Sequence, residues 1–138
     1  MTTNLIAIFV CGILSMVIGF IWYGPLFGKK WAEIVGANLG DIEKRKEMHK
    51  KAGPLYLVQF LMTLFQIYVL NCLIHVLENT SPIVLSIWIY LAFVIPIVAG
   101  SAMWNNDSKK VAWTRFLLQA GYQLILFVMF GLILGTWK

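Results

Sequence analysis

Ile21-Trp22-Tyr23-Gly24-Pro25-Leu26-Phe27-Gly28-Lys29-Lys30-Trp31 joins an apolar run to a basic, water-soluble loop. Trp and Tyr gather where a bilayer meets water, because the ring is apolar and the N–H or O–H is wet. Gly24 is suited to end a helix and Pro25 cannot continue one. Lys29 and Lys30 suit the lipid headgroups, with Trp31 as a second aromatic anchor. The stretch therefore predicts the depth of a first membrane helix and the side on which its loop lies.

Composition agrees with that reading. Of 138 residues, 60% are hydrophobic and 12% charged, and the mean hydropathy is +0.80. A soluble domain has about a quarter of its residues charged. So few polar groups cannot cover a water-exposed fold. The formal charge of +5 resides in loops between apolar runs, so anionic lipid headgroups, not nucleic acid, are the expected partner. The first residues lack a positive n-region and the first apolar run is long enough to span, so no cleavable leader is expected. Two cysteines, Cys11 and Cys72, do not make a disulfide framework.

Outward from the opening stretch, the chain reads as four apolar runs, at about 3–23, 55–77, 82–104 and 111–137. Some 20 helical residues cover a hydrocarbon core of about 30 Å, and backbone in lipid must pair within its own segment. The expected fold is all-α: a single domain over 1–138, with four transmembrane helices. Trp104 and Trp137 close the last two runs as further interface anchors. In the basic loop, about 25–53, Trp31, Ile34, Val35 and Leu39 share a face suited to a short interfacial helix. Asp41 suits the N-cap of a charged helix from Ile42 to Lys51, stopped by Gly53 and Pro54. That charged helix reads as a solvated face or a docking site for a soluble partner. Pro96 is expected to kink the third helix.

Cation counting gives the orientation. Lys29, Lys30, Lys44, Arg45, Lys46, Lys50, Lys51, Lys109, Lys110 and Arg115 fall on one side, and Lys138 alone on the other. The positive-inside rule places the long loops in the cytoplasm and both termini outside, in a bacterial cytoplasmic membrane.

Two patterns concern helix packing. Ala7, Cys11, Ser15 and Gly19 form a small-residue stripe on the first helix. It lets another helix approach closely, either within the chain or as a homo-oligomer seam. Gly131 and Gly135 repeat the pattern on the last helix. Polar residues form the second pattern. Gln59, Thr63 and Gln66 share a face of the second helix; Arg115, Gln119 and Gln123, with Tyr122 beside them, share a face of the fourth. Amides in hydrocarbon need partners, so the two stripes are expected to face each other, as interhelical hydrogen bonds or as a polar cavity for a small ligand.

The order of motifs resembles a family of small bacterial membrane proteins, also seen in fungi and known only as a domain of unknown function. The resemblance rests on Trp22 through Lys29 with Trp31; on Phe93-Val94, Pro96 and Trp104; on Ala120-Gly121-Tyr122-Gln123-Leu124; and on Gly131, Ile133-Leu134-Gly135 and Trp137. It implies four membrane helices in one domain and no assigned activity. In that family an acidic residue often follows Trp104 and a basic one often follows the Gly-Tyr pair. Here those positions are Asn105 and Gln123.

No strong catalytic motif is present. His75 and Glu78 share a helix face, but two ligands are not a metal site. No carboxylate lies within a span, which speaks against a proton-coupled pump. Neither catalytic residue, metal nor cofactor is expected. The reading is a non-enzymatic structural, interaction or small-ligand-binding membrane protein that forms a homo-oligomer. An oligomeric channel or facilitator is the alternative, and a lipid-modifying enzyme a weaker one.

Overall fold

In a computed structural model, the protein is described over residues 5–30, 42–104 and 108–137, with backbone alone over 42–52. The elements are α1 (Leu5–Ile21), a π-helical turn (Trp22–Leu26), α2 (Ile42–Val76), α3 (Pro82–Ile89), a second π-helical turn (Tyr90–Val94), α4 (Ile95–Met103) and α5 (Lys109–Thr136). Every element among the described residues is helical. Four stretches are long and apolar enough to cross a membrane: Leu5–Leu26, Gly53–Val76, Pro82–Met103 and Lys109–Thr136.

Each proline meets its helix differently. Pro25 lies within the first π turn, where the Phe27 N–H reaches back five residues to the Trp22 carbonyl at 3.0 Å. The expected stop at Gly24 and Pro25 is thus replaced by a widened turn that carries the span on to Leu26. Widening relieves the clash between the proline ring and the carbonyl four residues before it. Pro96 lies not within the second π turn but two residues past its end, so the expected kink takes the form of a wide turn just upstream. Pro82 opens α3 at a position that needs no N–H donor. Gly53 and Pro54 do not separate two helices, because α2 runs through them without a break. The one N–H lost at Pro54 leaves a carbonyl at residue 50, just outside the apolar span, where water can pair it. At the start of α5, Ser108 Oγ accepts the Val111 N–H at 3.3 Å, a regular N-cap.

The expected interfacial helix at Trp31, Ile34, Val35 and Leu39, the cap Asp41, and Asn105 and Lys138 lie outside the described residues. The charged side chains of residues 42–51 do so as well.

Spatially, α1 lies between α2 and α5, and α5 lies between α1 and the α3–α4 span; α2 barely touches α3 or α5. The core joins Ala7, Ile8 and Cys11 of α1, Ile67, Leu70 and Ile74 of α2, Leu85 of α3, Tyr90, and Leu126, Phe127, Phe130 and Leu134 of α5. Apart from Tyr90, near the middle of its span, these lie toward the end of the bundle that holds the chain termini. Toward the opposite, basic end, residues 53–59 of α2 are all exposed, with the Tyr56 ring centre still 5.9 Å from that of Phe20 on α1.

The α1 stripe is consumed inside this packing. Ala7 and Cys11 are fully buried and Ser15 is 2% exposed. A Cβ on Gly12 would meet Leu64 and Phe60 of α2, and one on Gly19 would lie 3.0 Å from the Tyr122 hydroxyl. The stripe Ala7, Cys11, Ser15 and Gly19, readable from sequence as packing within the chain or as a seam between copies, packs within the chain. Its small residues let α2 and α5 approach α1 from two sides. Gly131 and Gly135 likewise face α3, at Pro82, Ile83 and Ser86.

Asn71, 2% exposed, is the odd member of the α2 interior face. Its Nδ2 finds no hydrogen-bond partner among the described residues. An orphaned buried donor costs about 1–3 kcal/mol. Asn71→Leu, of similar volume, is expected to raise the unfolding midpoint in detergent micelles, by the equivalent of about 1 kcal/mol. A drop of that size instead would show that the amide is satisfied.

Candidate functional site

Toward the basic end, where the apolar core thins, aromatic hydroxyl and indole groups clasp the helices. The Trp22 indole N–H donates to the Leu118 carbonyl at 2.9 Å. The Tyr122 hydroxyl donates to the Ser15 carbonyl at 2.9 Å. The Tyr90 hydroxyl donates to the Ala120 carbonyl at 2.7 Å. A helix carbonyl has two lone pairs and uses one within its helix, so each clasp takes the spare one. In lipid such a donor has no water to turn to, which makes the bond hard to give up. Gly121 admits the Trp22 ring, since a Cβ there would lie 3.0 Å from it. The Tyr23 ring centre stands 5.4 Å from that of Tyr122.

These clasps change the reading of the opening stretch. Trp22, expected as an interface anchor, turns inward and ties α1 to α5. Lys29, Lys30, Gly24 and Pro25 are exposed beside it, Tyr23 is half-buried, and Trp104 is 88% exposed. Trp137 is exposed at the far end.

The polar stripes do not form one cluster. Thr63, which is buried, donates to the Gln59 carbonyl at 2.8 Å, and Gln59 Nε2 donates to Thr63 Oγ1 at 3.3 Å. That pair is joined within α2. Tyr122 is committed to α1. Arg115, Gln119 and Gln123 are half-buried on α5. Gln66 of the α2 stripe lines a cavity.

That cavity, of about 300 Å³, lies in the gap between the second and third spans. Phe65, Gln66, Val69, Leu70 and Leu73 of α2 form one wall, Ile89 of α3 the other, and Phe127 of α5 the floor. Its origin is topological. The tight turn after α2 holds the two spans together at one end, and each then leans on a different neighbour, α2 on α1 and α3 on α5. The cleft opens sideways, where lipid would lie. Its surface is almost wholly apolar, suited to a ligand that is mostly hydrocarbon, and Gln66 lines it chiefly through its methylenes. Sequence reasoning found Gln66 but missed the apolar walls. A Val or Leu facing a cleft carries no mark that separates it from one facing lipid.

Both cysteines are free thiols, Cys11 buried and Cys72 half-buried. Among the described residues no three His, Cys, Asp or Glu side chains group closely enough to hold a metal ion.

Four apolar spans, tied by aromatic clasps around a laterally open cleft, define a polytopic helical membrane protein. The chain belongs to the DUF1761 family, described as a protein of unknown function, whose model matches residues 6–135. No curated protein and no solved structure matches it.

Proposed function

We propose that this is a non-enzymatic small-ligand-binding protein of the bacterial cytoplasmic membrane, which takes an amphiphile from the surrounding lipid into the cleft between its second and third spans. The observation that carries the reading is the cavity of about 300 Å³ with Gln66 in an otherwise apolar wall. Gln66 is an exposed residue of that wall, and an amide at membrane depth favours a neighbour that brings a hydrogen-bonding group with it. Ten of the eleven cations fall in or beside the loops that follow the first and third spans, which supports a cytoplasmic side for those loops and an outside position for both termini. The exposed apolar residues of all four spans face membrane lipid. A homo-oligomer, if formed, uses a surface other than the α1 stripe, which is buried within one chain.

The test is solvent extraction of the purified protein followed by mass spectrometry. One lipid-soluble molecule per chain is expected from the wild type. Leu73→Trp fills the cavity from its wall and is expected to lose that molecule without lowering the unfolding midpoint by more than about 1 kcal/mol. Equal recovery from a folded Leu73→Trp and from the wild type would remove the cleft as the site.

A further inference from the structure

We infer that two copies of the chain pair in the membrane along α2, where Gln66 and Gln59 each meet their own counterpart across a two-fold axis. This pairing goes beyond the ligand reading and is independent of any occupant of the cleft.

The second span runs Gly53–Val76. At 1.5 Å per residue, Gln66 stands about 15 Å or more from both ends, and Gln59 about 9 Å from the basic one. Both side chains are exposed, and among the described spans exposed amides occur on α2 alone. Gln59 gives one N–H to Thr63 Oγ1, which leaves its second N–H and its carbonyl. Gln66 makes no hydrogen bond among the described residues. Acyl chains offer it none, and a Gln side chain is too short to reach water from that depth. A polar group in hydrocarbon is stabilised by whatever brings it a partner.

The two amides belong to a longer pattern. Leu55, Gln59, Met62, Gln66, Val69 and Leu73 follow one another at alternating steps of four and three. At 3.6 residues per turn they fall in a strip about 80° wide. Leu73 is half-buried and the other five are exposed. The buried face of α2, at Thr63, Ile67 and Ile74, lies about 100° farther round the helix. The strip is therefore left over after α2 has packed within its own chain. A seven-residue repeat of this kind makes the seam of a left-handed helix pair, the usual hand in membrane bundles.

Symmetry selects the occupant of the seam. Two copies inserted with the same topology are related by an axis along the membrane normal, so residues at equal depth meet across it. Each amide on the strip then faces an amide. Both can be satisfied at once, each N–H donating to the carbonyl of the other. A helix without a polar group at that depth leaves Gln66 as it was. Gln59 and Gln66 are seven apart and so hold the same place in successive repeats, which lets both pairs form in one register. Val69 and Leu73 also wall the cleft, so the second α2 stands beside its side opening.

The test uses the full chain in membranes. Met62 sits on the strip between the two glutamines. Leu61, at nearly the same depth and also exposed, points about 100° away. Met62→Cys and Leu61→Cys are each made with Cys72→Ser, since Cys72 is only half-buried, and the membranes are oxidised with copper phenanthroline. Met62→Cys is expected to give a disulfide-linked dimer and Leu61→Cys none, because the bond forms only between sulfurs brought within reach. Equal linkage of the two, or none at Met62→Cys, overturns the pairing. Linkage of Met62→Cys to a different protein overturns it as well. Energy transfer between labelled chains, diluted stepwise into lipid vesicles, then reads the affinity. Gln66→Leu is expected to weaken pairing about 10-fold, the worth of reciprocal amide bonds in lipid. Leucine is similar in volume and suits lipid better, so the variant keeps its fold. A Gln66→Leu chain that pairs as tightly as the wild type, or a wild type that stays monomeric at every dilution, overturns the inference.

Discussion

Gly131→Val is expected to destabilise the protein by about 3 kcal/mol, because it overpacks a helix contact in which backbone meets backbone. A Cβ at residue 131 would lie 2.8 Å from Ser86 Oγ, 3.0 Å from the Ile83 Cα and 3.2 Å from the Pro82 carbonyl. Two of those atoms are backbone and cannot turn aside. The third is held too, since Ser86 Oγ donates to the Pro82 carbonyl at 2.8 Å. Any side chain therefore forces α3 off α5, and the branched one does so most. Contrast Gly12, where a Cβ would meet only the flexible tips of Leu64 and Phe60. At Gly100 nothing lies within 4 Å of an added Cβ. Gly100→Ala is then expected to gain about 0.5–1 kcal/mol from helix propensity. Unfolding midpoints of the two variants in mixed micelles check the pair. A Gly131→Val protein as stable as wild type would mean that α3 and α5 do not pack through this glycine.

Trp22→Ala carries the second large effect, an expected loss of about 3–5 kcal/mol. The indole fills the space left by Gly121, lies with its ring centre 4.7 Å from that of Phe27, and donates to the Leu118 carbonyl. Trp22→Phe separates packing from hydrogen bonding. It keeps most of the ring and loses the N–H donor, so about 1 kcal/mol of loss is expected. The Leu118 carbonyl keeps its partner within the helix, which is why the phenylalanine variant leaves no buried orphan. Should both variants lose the same amount, the hydrogen bond and not the packing would hold α1 to α5.

The membrane helices were legible because lipid removes the ambiguity that tertiary contacts create in water. A span must be helical and of a certain length, and both follow from composition. The α1 stripe was legible as a contact and not as a choice of partner. Ala7, Cys11, Ser15 and Gly19 announce a surface that a helix can approach, and nothing local distinguishes a helix of the same chain from one of a second copy. Trp22 shows the same limit. A tryptophan at the end of an apolar run serves a headgroup anchor and an inward clasp equally well. The deciding facts are Gly121 and the Leu118 carbonyl, nearly a hundred positions later in the chain. The continuity of α2 through Gly53 and Pro54 was also hidden, because those residues stop most helices in water.

From the sequence alone came the class of protein, the number of spans and the clustering of cations at one end, all consequences of how residues partition between water and hydrocarbon. Tertiary structure alone decided that α2 leans on α1 while α3 leans on α5, and so that a cleft opens between spans joined by a short turn. Partitioning is settled residue by residue. Which helix packs on which depends on the steric fit of surfaces far apart in sequence, such as Gly131 against Ile83 and Gly19 beneath Tyr122.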